Sequence, residues 1–285
     1  MKSPTTSRLE MPDGVALALR TWTPAATPHG TVVIAHGLGE HAARYQQLAD
    51  DLTTAGWVVR AADHRGHGTS PGARGAVPSV EAIRDDLLAS LDSARAATPG
   101  PVVLLGHSMG GAFAAWAIAH CATAADALIL SSPALQADLS PVQRAMMHVM
   151  LRVAPNIAIG NGLDANFISH DRAVVDAYTA DPLVHDRVSA RLAHAIVAAG
   201  ETARAAAAQW RTPTLLIYAG ADRLVNPRGS QEFASAAPTD VVTTQRFDGL
   251  YHELFNETDR ARPVAAVLGW LRRFEERNGS RGQSS

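Results

Sequence analysis

Residues 102–110 read Val-Val-Leu-Leu-Gly-His-Ser-Met-Gly. The four apolar residues predict a buried strand, and the helical pattern at residues 111–120 predicts a helix directly after it. Between them, the spacing G-x-S-x-G is typical of a sharp strand–turn–helix connection, which needs glycines because a Cβ would clash where the helix approaches the strand. We therefore expect Ser108 to be exposed at the carboxyl edge of a sheet, in a strained backbone conformation.

Further apolar runs lie on both sides of this stretch, at residues 31–35, 57–62, 127–130, 214–218 and 241–247. Most are too continuous for strands with one solvated face, which indicates a buried parallel sheet. Helical patterns separate several of them, so the sequence predicts an α/β fold with a mostly parallel, doubly wound sheet. A short hairpin is predicted before it, because Asp13-Gly14 favours a tight turn.

The alternation of strands and helices stops between residues 135 and 210. This interval has helical apolar spacing and no convincing strand, and we interpret it as a helical cap inserted into a single domain that spans residues 1–285. Two independent domains with a boundary near Ser140 are the alternative. That division leaves too few strands on each side to close a sheet.

Composition excludes several classes of function. The 25 basic and 27 acidic residues give a net charge of −2, so the chain lacks the positive field that nucleic-acid binding requires. Its one cysteine, Cys121, can form neither an internal disulfide nor a thiolate metal cluster, and we expect no metal and no cofactor. Without an apolar leader or a membrane-spanning run, the chain is expected to be a soluble cytoplasmic protein.

A serine hydroxyl becomes a nucleophile only when a base takes its proton and a carboxylate orients that base. Asp222 directly follows one predicted strand and His252 follows the last one, so both should reach the same sheet edge as Ser108. Their order along the chain, Ser-Asp-His, is the one expected for this connection. Asp248 lies too close to His252 in sequence and Asp126 precedes its strand, which favours Asp222.

Acyl transfer also needs hydrogen-bond donors for the oxyanion that develops on the substrate. The backbone N–H of Met109, at the start of the predicted helix, is one candidate. The second candidate is the N–H of Leu38, in the loop His36-Gly37-Leu38-Gly39 after the strand at residues 31–35. Because both donors are main-chain groups, the side chains of Leu38 and Met109 are expected to line an acyl pocket.

Several motifs resemble those of the monoacylglycerol lipase and lysophospholipase branch of the α/β-hydrolase superfamily. They are His-Gly-Leu-Gly-Glu-His at residues 36–41 with Arg44-Tyr45, Asp-His-Arg-Gly-His-Gly at 63–68, Gly-His-Ser-Met-Gly-Gly at 106–111, Gly-Ala-Asp at 220–222 and Tyr-His-Glu-Leu at 251–254. The resemblance implies an α/β-hydrolase fold with a helical cap. It also implies an esterase that cleaves single-chain fatty esters, above all monoacylglycerols, through an acyl-enzyme on Ser108.

Other functions remain open alternatives at this stage. A lysophospholipase or a general short-chain carboxylesterase would use the same triad, and a non-catalytic ligand-binding protein on a hydrolase scaffold is a more remote reading. The expected partner is a small lipid ester. Since such substrates reside in membranes, transient contact with a membrane surface is compatible with this activity, although no strongly basic amphipathic segment is present.

The resemblance extends to the cap. Tyr178, in Tyr-Thr-Ala-Asp-Pro-Leu at residues 178–183, matches a tyrosine that can contact the glycerol head in the family, whereas Val174 stands where some members have glutamate. The cap also carries an apolar stripe at helical spacing, formed by Val142, Met146, Val149, Met150 and Val153. It either forms a slot for an acyl tail or packs onto the core, and the sequence alone favours neither.

Overall fold

A computed structural model describes residues 3–282 of the chain. It contains ten strands, numbered in chain order: β1 (Thr5–Glu10), β2 (Ala16–Trp22), β3 (Gly30–Ala35), β4 (Trp57–Ala62), β5 (Val102–His107), β6 (Ala127–Ser131), β7 (Ala158–Gly160), β8 (Arg187–Ser189), β9 (Thr214–Ala219) and β10 (Val242–Phe247). Eight of them form one sheet in the order β1-β2-β4-β3-β5-β6-β9-β10. The strands β1, β2 and β4 pair antiparallel and all other neighbours in this sheet pair parallel, which confirms the predicted hairpin and mostly parallel sheet.

Helices cover both faces of the sheet. They are α1 (Gln46–Thr54), α2 (Val80–Ala97), α3 (Ser108–His120), α4 (Pro141–Val153), α5 (Arg172–Ala180), α6 (Ala190–Ala206), α7 (Arg228–Ala236) and α8 (Ala261–Gly282). Side chains of a strand alternate between faces. Thus Val102 and Leu104 of β5 belong to one core cluster with residues of α2, α3, α6 and α7, whereas Val103 and Leu105 belong to a second cluster with residues of α1 and α8. Burial on both faces explains why the strand sequences are continuously apolar.

The interval between residues 135 and 210 has two parts. Its last helix, α6, buries Leu192, Ala195 and Ala199 in the same core cluster as α3, so it belongs to the helical layer and connects β6 to the parallel strand β9. The earlier part, residues 136–189, we call the outer segment. It contains α4, α5 and the antiparallel pair β7–β8, two three-residue strands that the sequence analysis did not predict.

The outer segment lies over the carboxyl edge of the sheet. The N–H of His185 donates to the carbonyl of Gly39, which follows β3, and the N–H of Glu253, after β10, donates to the carbonyl of Ile168. The division into one domain with a cap at residues 135–210 stays a prediction. Within the described residues, no helix combines the length and apolarity that crossing a bilayer requires.

Candidate active site

Ser108 stands at the junction of β5 and α3 with a φ of +54°, a conformation that costs an L-residue about 1 to 3 kcal/mol. The glycines around it allow close backbone contacts. A Cβ on Gly106 would lie 2.6 Å from the carbonyl oxygen of Gly110, and one on Gly110 would lie 2.2 Å from the carbonyl oxygen of Ala35. The packing of α3 against β3 and β5 therefore holds the strained turn in place.

His252 and Asp222 form a buried pair at the same edge. The Nδ1 of His252 lies 2.7 Å from Oδ2 of Asp222, and their side chains are only 6% and 2% exposed. The other carboxylate oxygen, Oδ1, accepts the N–H groups of Leu224 and Val225. Asp222 is thus fixed by the loop after β9 and leaves one oxygen for the imidazole.

This pairing shifts the pKa of both groups. Burial by itself lowers the pKa of His252, but the carboxylates of Asp222, Glu253 and Glu40 together outweigh burial and raise that pKa above its ordinary value, with Asp222 contributing most. Burial raises the pKa of Asp222, yet the charge and hydrogen bond of His252 bring it below the usual range. Both shifts favour the charged forms, which is the arrangement that stabilises an imidazolium when His252 takes a proton.

The competing carboxylates have other partners. Asp248 pairs with Arg246 at 2.6 Å and is 80% exposed. Asp126 pairs with Arg95 at 3.0 Å and accepts the N–H of Val102 at the start of β5. Neither carboxylate orients His252.

Ser108 and His252 line one cavity of about 330 Å³. The ring of His107 lies 4.7 Å from the His252 ring, centroid to centroid. Among the residues that the structure describes, no hydrogen bond joins the Ser108 hydroxyl to His252. Such bonds are often long in enzymes without substrate and shorten when the substrate binds.

The loop after β3 is oriented by His36. Its Nε2 accepts the N–H of His64 at 2.9 Å, so its proton is on Nδ1, which donates to the carbonyl of Gly37 at 2.8 Å. Burial, with a contribution from His67, lowers the pKa of His36 to about 4 and keeps the ring neutral. Because a peptide unit is planar and trans, the N–H of Leu38 points away from the Gly37 carbonyl and its imidazole partner.

The two predicted oxyanion donors lie near the nucleophile. A Cβ on Gly37 would be 3.3 Å from the Cβ of Ser108, so the Leu38 peptide is next to the serine. Met109 is in the first turn of α3, where N–H groups have no partner within the helix. The Leu38 side chain lines the cavity as expected, but the side chain of Met109 is buried in the core cluster at 3% exposure.

Sequence reasoning assigned no role to a charged cluster behind the site, which we call the Arg44 cluster: Glu40, Arg44 and Glu253. Arg44 Nη1 lies 2.9 Å from Oε2 of Glu40 and 2.6 Å from Oε1 of Glu253. Burial raises the pKa of Glu40, but Arg44 and nearby imidazoles bring it down to about 2. The motif His-Gly-Leu-Gly-Glu-His contains Glu40, yet its partners become visible only in three dimensions.

The outer segment completes the cavity. Tyr178 lines it, with its ring 4.6 Å from the guanidinium carbon of Arg44. Asp181 also lines the cavity and pairs with His41 at 2.9 Å. The remaining residues from this segment are Asn161, Leu163, Ala165, Ile168, Thr179, Val184, His185 and Asp186.

Helix α4 does not follow either reading of its apolar stripe. Val142, Met146, Val149 and Val153 are 76%, 54%, 58% and 70% exposed, so these four side chains do not pack onto the core, whereas Met150 is half-buried. Of the described residues that line the active-site cavity, none belongs to α4, so the helix does not form its acyl slot. Four of the five side chains in the stripe face solvent.

Known proteins share this sequence and architecture. The profile of a family described as "Serine aminopeptidase, S33" matches residues 26–259. The monoacylglycerol lipase of Mycolicibacterium smegmatis is 37% identical over 262 residues, which cover 90% of this chain and 93% of that protein. The monoglyceride lipase of Rattus norvegicus is 34% identical over 252 residues, covering 86% of this chain and 82% of the relative. The crystal structure of Paleococcus ferrophilus monoacylglycerol lipase superimposes with a TM-score of 0.83 at 32% identity, covering 90% of this chain and 99% of that one.

Proposed function

This chain belongs to the monoacylglycerol lipase branch of the α/β-hydrolase superfamily and is a serine ester hydrolase, and from this membership we propose that it cleaves monoacylglycerols through an acyl-enzyme on Ser108. The single observation that carries the proposal is the 2.7 Å contact between His252 and Asp222 in the cavity that Ser108 also lines. This contact orients His252 as a base in the cavity that contains the strained Ser108.

In the proposed reaction, Ser108 Oγ attacks the ester carbonyl carbon while His252 Nε2 takes the hydroxyl proton. Asp222 holds the proton on Nδ1 and stabilises the imidazolium. The N–H groups of Leu38 and Met109 bind the oxyanion, a contribution of about 3 to 4 kcal/mol for one donor in well-studied enzymes. The tetrahedral intermediate collapses as the imidazolium protonates the leaving alcohol, and water then hydrolyses the acyl-enzyme by the same steps.

The lining of the cavity supports a neutral head group. Its carboxylates are Glu40, Asp181, Asp186 and Glu253, and no arginine or lysine lines it within the described part of the chain. A phosphate head group would find no cation in this lining to bind it, which disfavours lysophospholipids. Glycerol hydroxyls can donate to these carboxylates and to the hydroxyl of Tyr178, the residue we propose contacts the head group.

Peptide hydrolysis from a free amino terminus, which the family description suggests, has less support. An α-ammonium group needs an unpaired carboxylate near the scissile bond. Glu40 and Glu253 are already bound to Arg44, Asp181 to His41 and Asp186 to Arg187. The apolar part of the lining, which includes Leu163, Ile168, Val184, Leu224 and Val225, suits a fatty chain instead.

The exposed stripe of α4 supports a further part of the proposal, contact with a lipid surface. Exposed apolar residues continue from α4 through Ile157 and Ile159 to Leu163, which is 47% exposed and also lines the cavity. Contiguous exposed apolar side chains are typical of interaction sites. A bilayer covering this stripe would place lipid next to the cavity.

The decisive experiment compares wild type with Ser108→Ala on monoacylglycerols, lysophospholipids and short p-nitrophenyl esters. We expect monoacylglycerols to be preferred and the variant to lose about 10⁶-fold in kcat. Labelling by a fluorophosphonate should require Ser108. A folded wild-type protein that resists labelling would indicate a non-catalytic binding protein, and a preference for short esters would indicate a general carboxylesterase.

A further inference from the structure

The Arg44 cluster joins two loops that the proposed reaction requires. The side chains of Arg44, Glu40 and Glu253 are 11%, 5% and 8% exposed. Three buried charges lose hydration, and such groups often add little net stability compared with apolar residues of the same size. Stabilisation of the fold is therefore a weak explanation for the cluster, and its location points to the site.

One end of the cluster holds the loop after β3. Glu40 Oε1 accepts the N–H of Gly37 at 2.6 Å and the hydroxyl of Tyr45 at 2.7 Å. Gly37 immediately precedes Leu38, whose N–H is the proposed oxyanion donor. The second oxygen of Glu40, Oε2, accepts from Arg44 at 2.9 Å. Arg44 thereby fixes the carboxylate that fixes the loop.

The other end holds the residue after the proposed base. Arg44 donates from Nη1 and Nη2 to the two oxygens of Glu253 at 2.6 and 2.7 Å, a bidentate pair with defined geometry. Glu253 directly follows His252. It also accepts from the side chain of Asn256 at 2.9 Å, and its N–H donates to the carbonyl of Ile168 in the outer segment at 2.8 Å.

We propose that Arg44 is a positioning residue, which holds the oxyanion loop and the His252 loop at a fixed separation through Glu40 and Glu253. The inference rests on the proposed function, because it assumes that Ser108 reacts between these two loops. One planar guanidinium with five donors can contact both carboxylates at once, whereas the single ammonium of lysine has no such fork.

The charge of the cluster also reaches His252. Burial lowers the pKa of His252, Asp222 raises it most, and Glu253 and Glu40 raise it further. The neighbouring ring of His107 stays neutral, because burial and then His252 lower its pKa to about 4. Arg44 offsets two carboxylates with one positive charge, so changes in the cluster should alter the titration of the base.

The experiment uses Arg44→Met, Arg44→Lys and Glu253→Gln, with kcat and KM for a soluble ester measured across pH. Asp86→Asn is the matched control. Asp86 is a buried carboxylate that binds Arg65 through two contacts of 2.6 Å and does not line the active-site cavity. Thermal unfolding of every variant reports stability separately from activity.

We expect Arg44→Met to lower kcat about ten- to a hundred-fold, because small misplacements of reacting groups have effects of this size. The acid limb of its pH–rate profile should move to higher pH, since the two uncompensated carboxylates, Glu40 and Glu253, favour the imidazolium form of His252. Glu253→Gln removes a negative charge and should move the limb to lower pH. Arg44→Lys should lower kcat without moving the limb, and Asp86→Asn should change only stability.

Opposite displacements of the limb cannot arise from a general loss of stability. If the folded variants match Asp86→Asn, with a lower melting temperature but wild-type kcat and acid limb, the cluster is only structural. Should Arg44→Met fail to fold, the nearly isosteric Glu253→Gln decides the matter. Inactive Ser108→Ala together with unaffected cluster variants refutes this inference alone, whereas active Ser108→Ala refutes the proposed function.

Discussion

Helices α3 and α4 are both 13 residues long and both carry apolar side chains, but they lie in opposite environments. In α3, Phe113 is fully buried, and eight other residues of the helix are buried with it. In α4 no residue is buried. An apolar stripe therefore shows that a helix has an apolar face, but what covers that face is decided by the rest of the fold or by a partner.

The two helices also differ in their relation to the active site. Helix α3 begins at the proposed nucleophile, and most of its residues are buried. This packing keeps the strained turn at Ser108 in place. Helix α4 contributes nothing to the described lining of the cavity and lies in the segment that covers it. We therefore expect substitutions outside the outer segment to change the rate of reaction or the stability of the fold, and substitutions in α4 to change interaction with lipid.

Apart from removal of the nucleophile in Ser108→Ala, the largest expected effect is that of Asp222→Asn, in the loop after β9. An asparagine amide can donate to Nδ1 of His252 and stabilise the wrong tautomer, so kcat should fall about 10⁴-fold. Steady-state turnover of a soluble ester measures the loss. Asp248→Asn, at an exposed carboxylate of the same region, should leave kcat unchanged; an equal loss in both variants would contradict the role of Asp222.

The second effect compares the same substitution in the two regions. Val103→Ala in β5 removes two fully buried methyl groups and should lower the free energy of unfolding by about 2 to 3 kcal/mol. Val149→Ala in α4 should change it by less than about 0.5 kcal/mol, since the side chain is exposed and alanine favours the helix. Urea unfolding measures both. Equal losses would mean that the Val149 side chain is buried against the protein.

The third effect is the pH dependence of kcat/KM, which amounts to about tenfold per pH unit. His252 must be neutral to accept a proton, and its pKa is raised above the ordinary value of 6.5. Below this raised pKa, kcat/KM should fall about tenfold per pH unit, with the midpoint of the acid limb above 6.5. Wild type and Val149→Ala should give superimposable profiles. A midpoint below 6.5 would show that burial outweighs the carboxylates of Asp222, Glu253 and Glu40.

The smallest effect is expected at the exposed stripe. Met146→Ser with Val149→Ser reduces apolar area and should weaken binding to phosphatidylcholine vesicles about five-fold, because interfacial binding scales with buried apolar area. Co-sedimentation measures the affinity. Turnover of a soluble short ester should not change, and undiminished vesicle binding would refute docking through α4.

Local patterns in the sequence predict the sheet well, because strands buried on both faces must be continuously apolar. The G-x-S-x-G spacing likewise predicts the turn at Ser108, since only that backbone geometry requires both glycines. The pair β7–β8 escapes detection because three residues are too few for a recognisable pattern. The contact between Arg44 and Glu253 cannot be predicted from local patterns because the two residues are 209 positions apart in sequence.

The path of the outer segment has a consequence for how such chains diversify. It begins after Leu135 and ends at Ser189, just before α6, and both Leu135 and residues of α6 belong to one core cluster. Recombination at these two positions would exchange residues 136–189 between relatives. Such an exchange would alter substrate selectivity and leave Ser108, Asp222 and His252 unchanged.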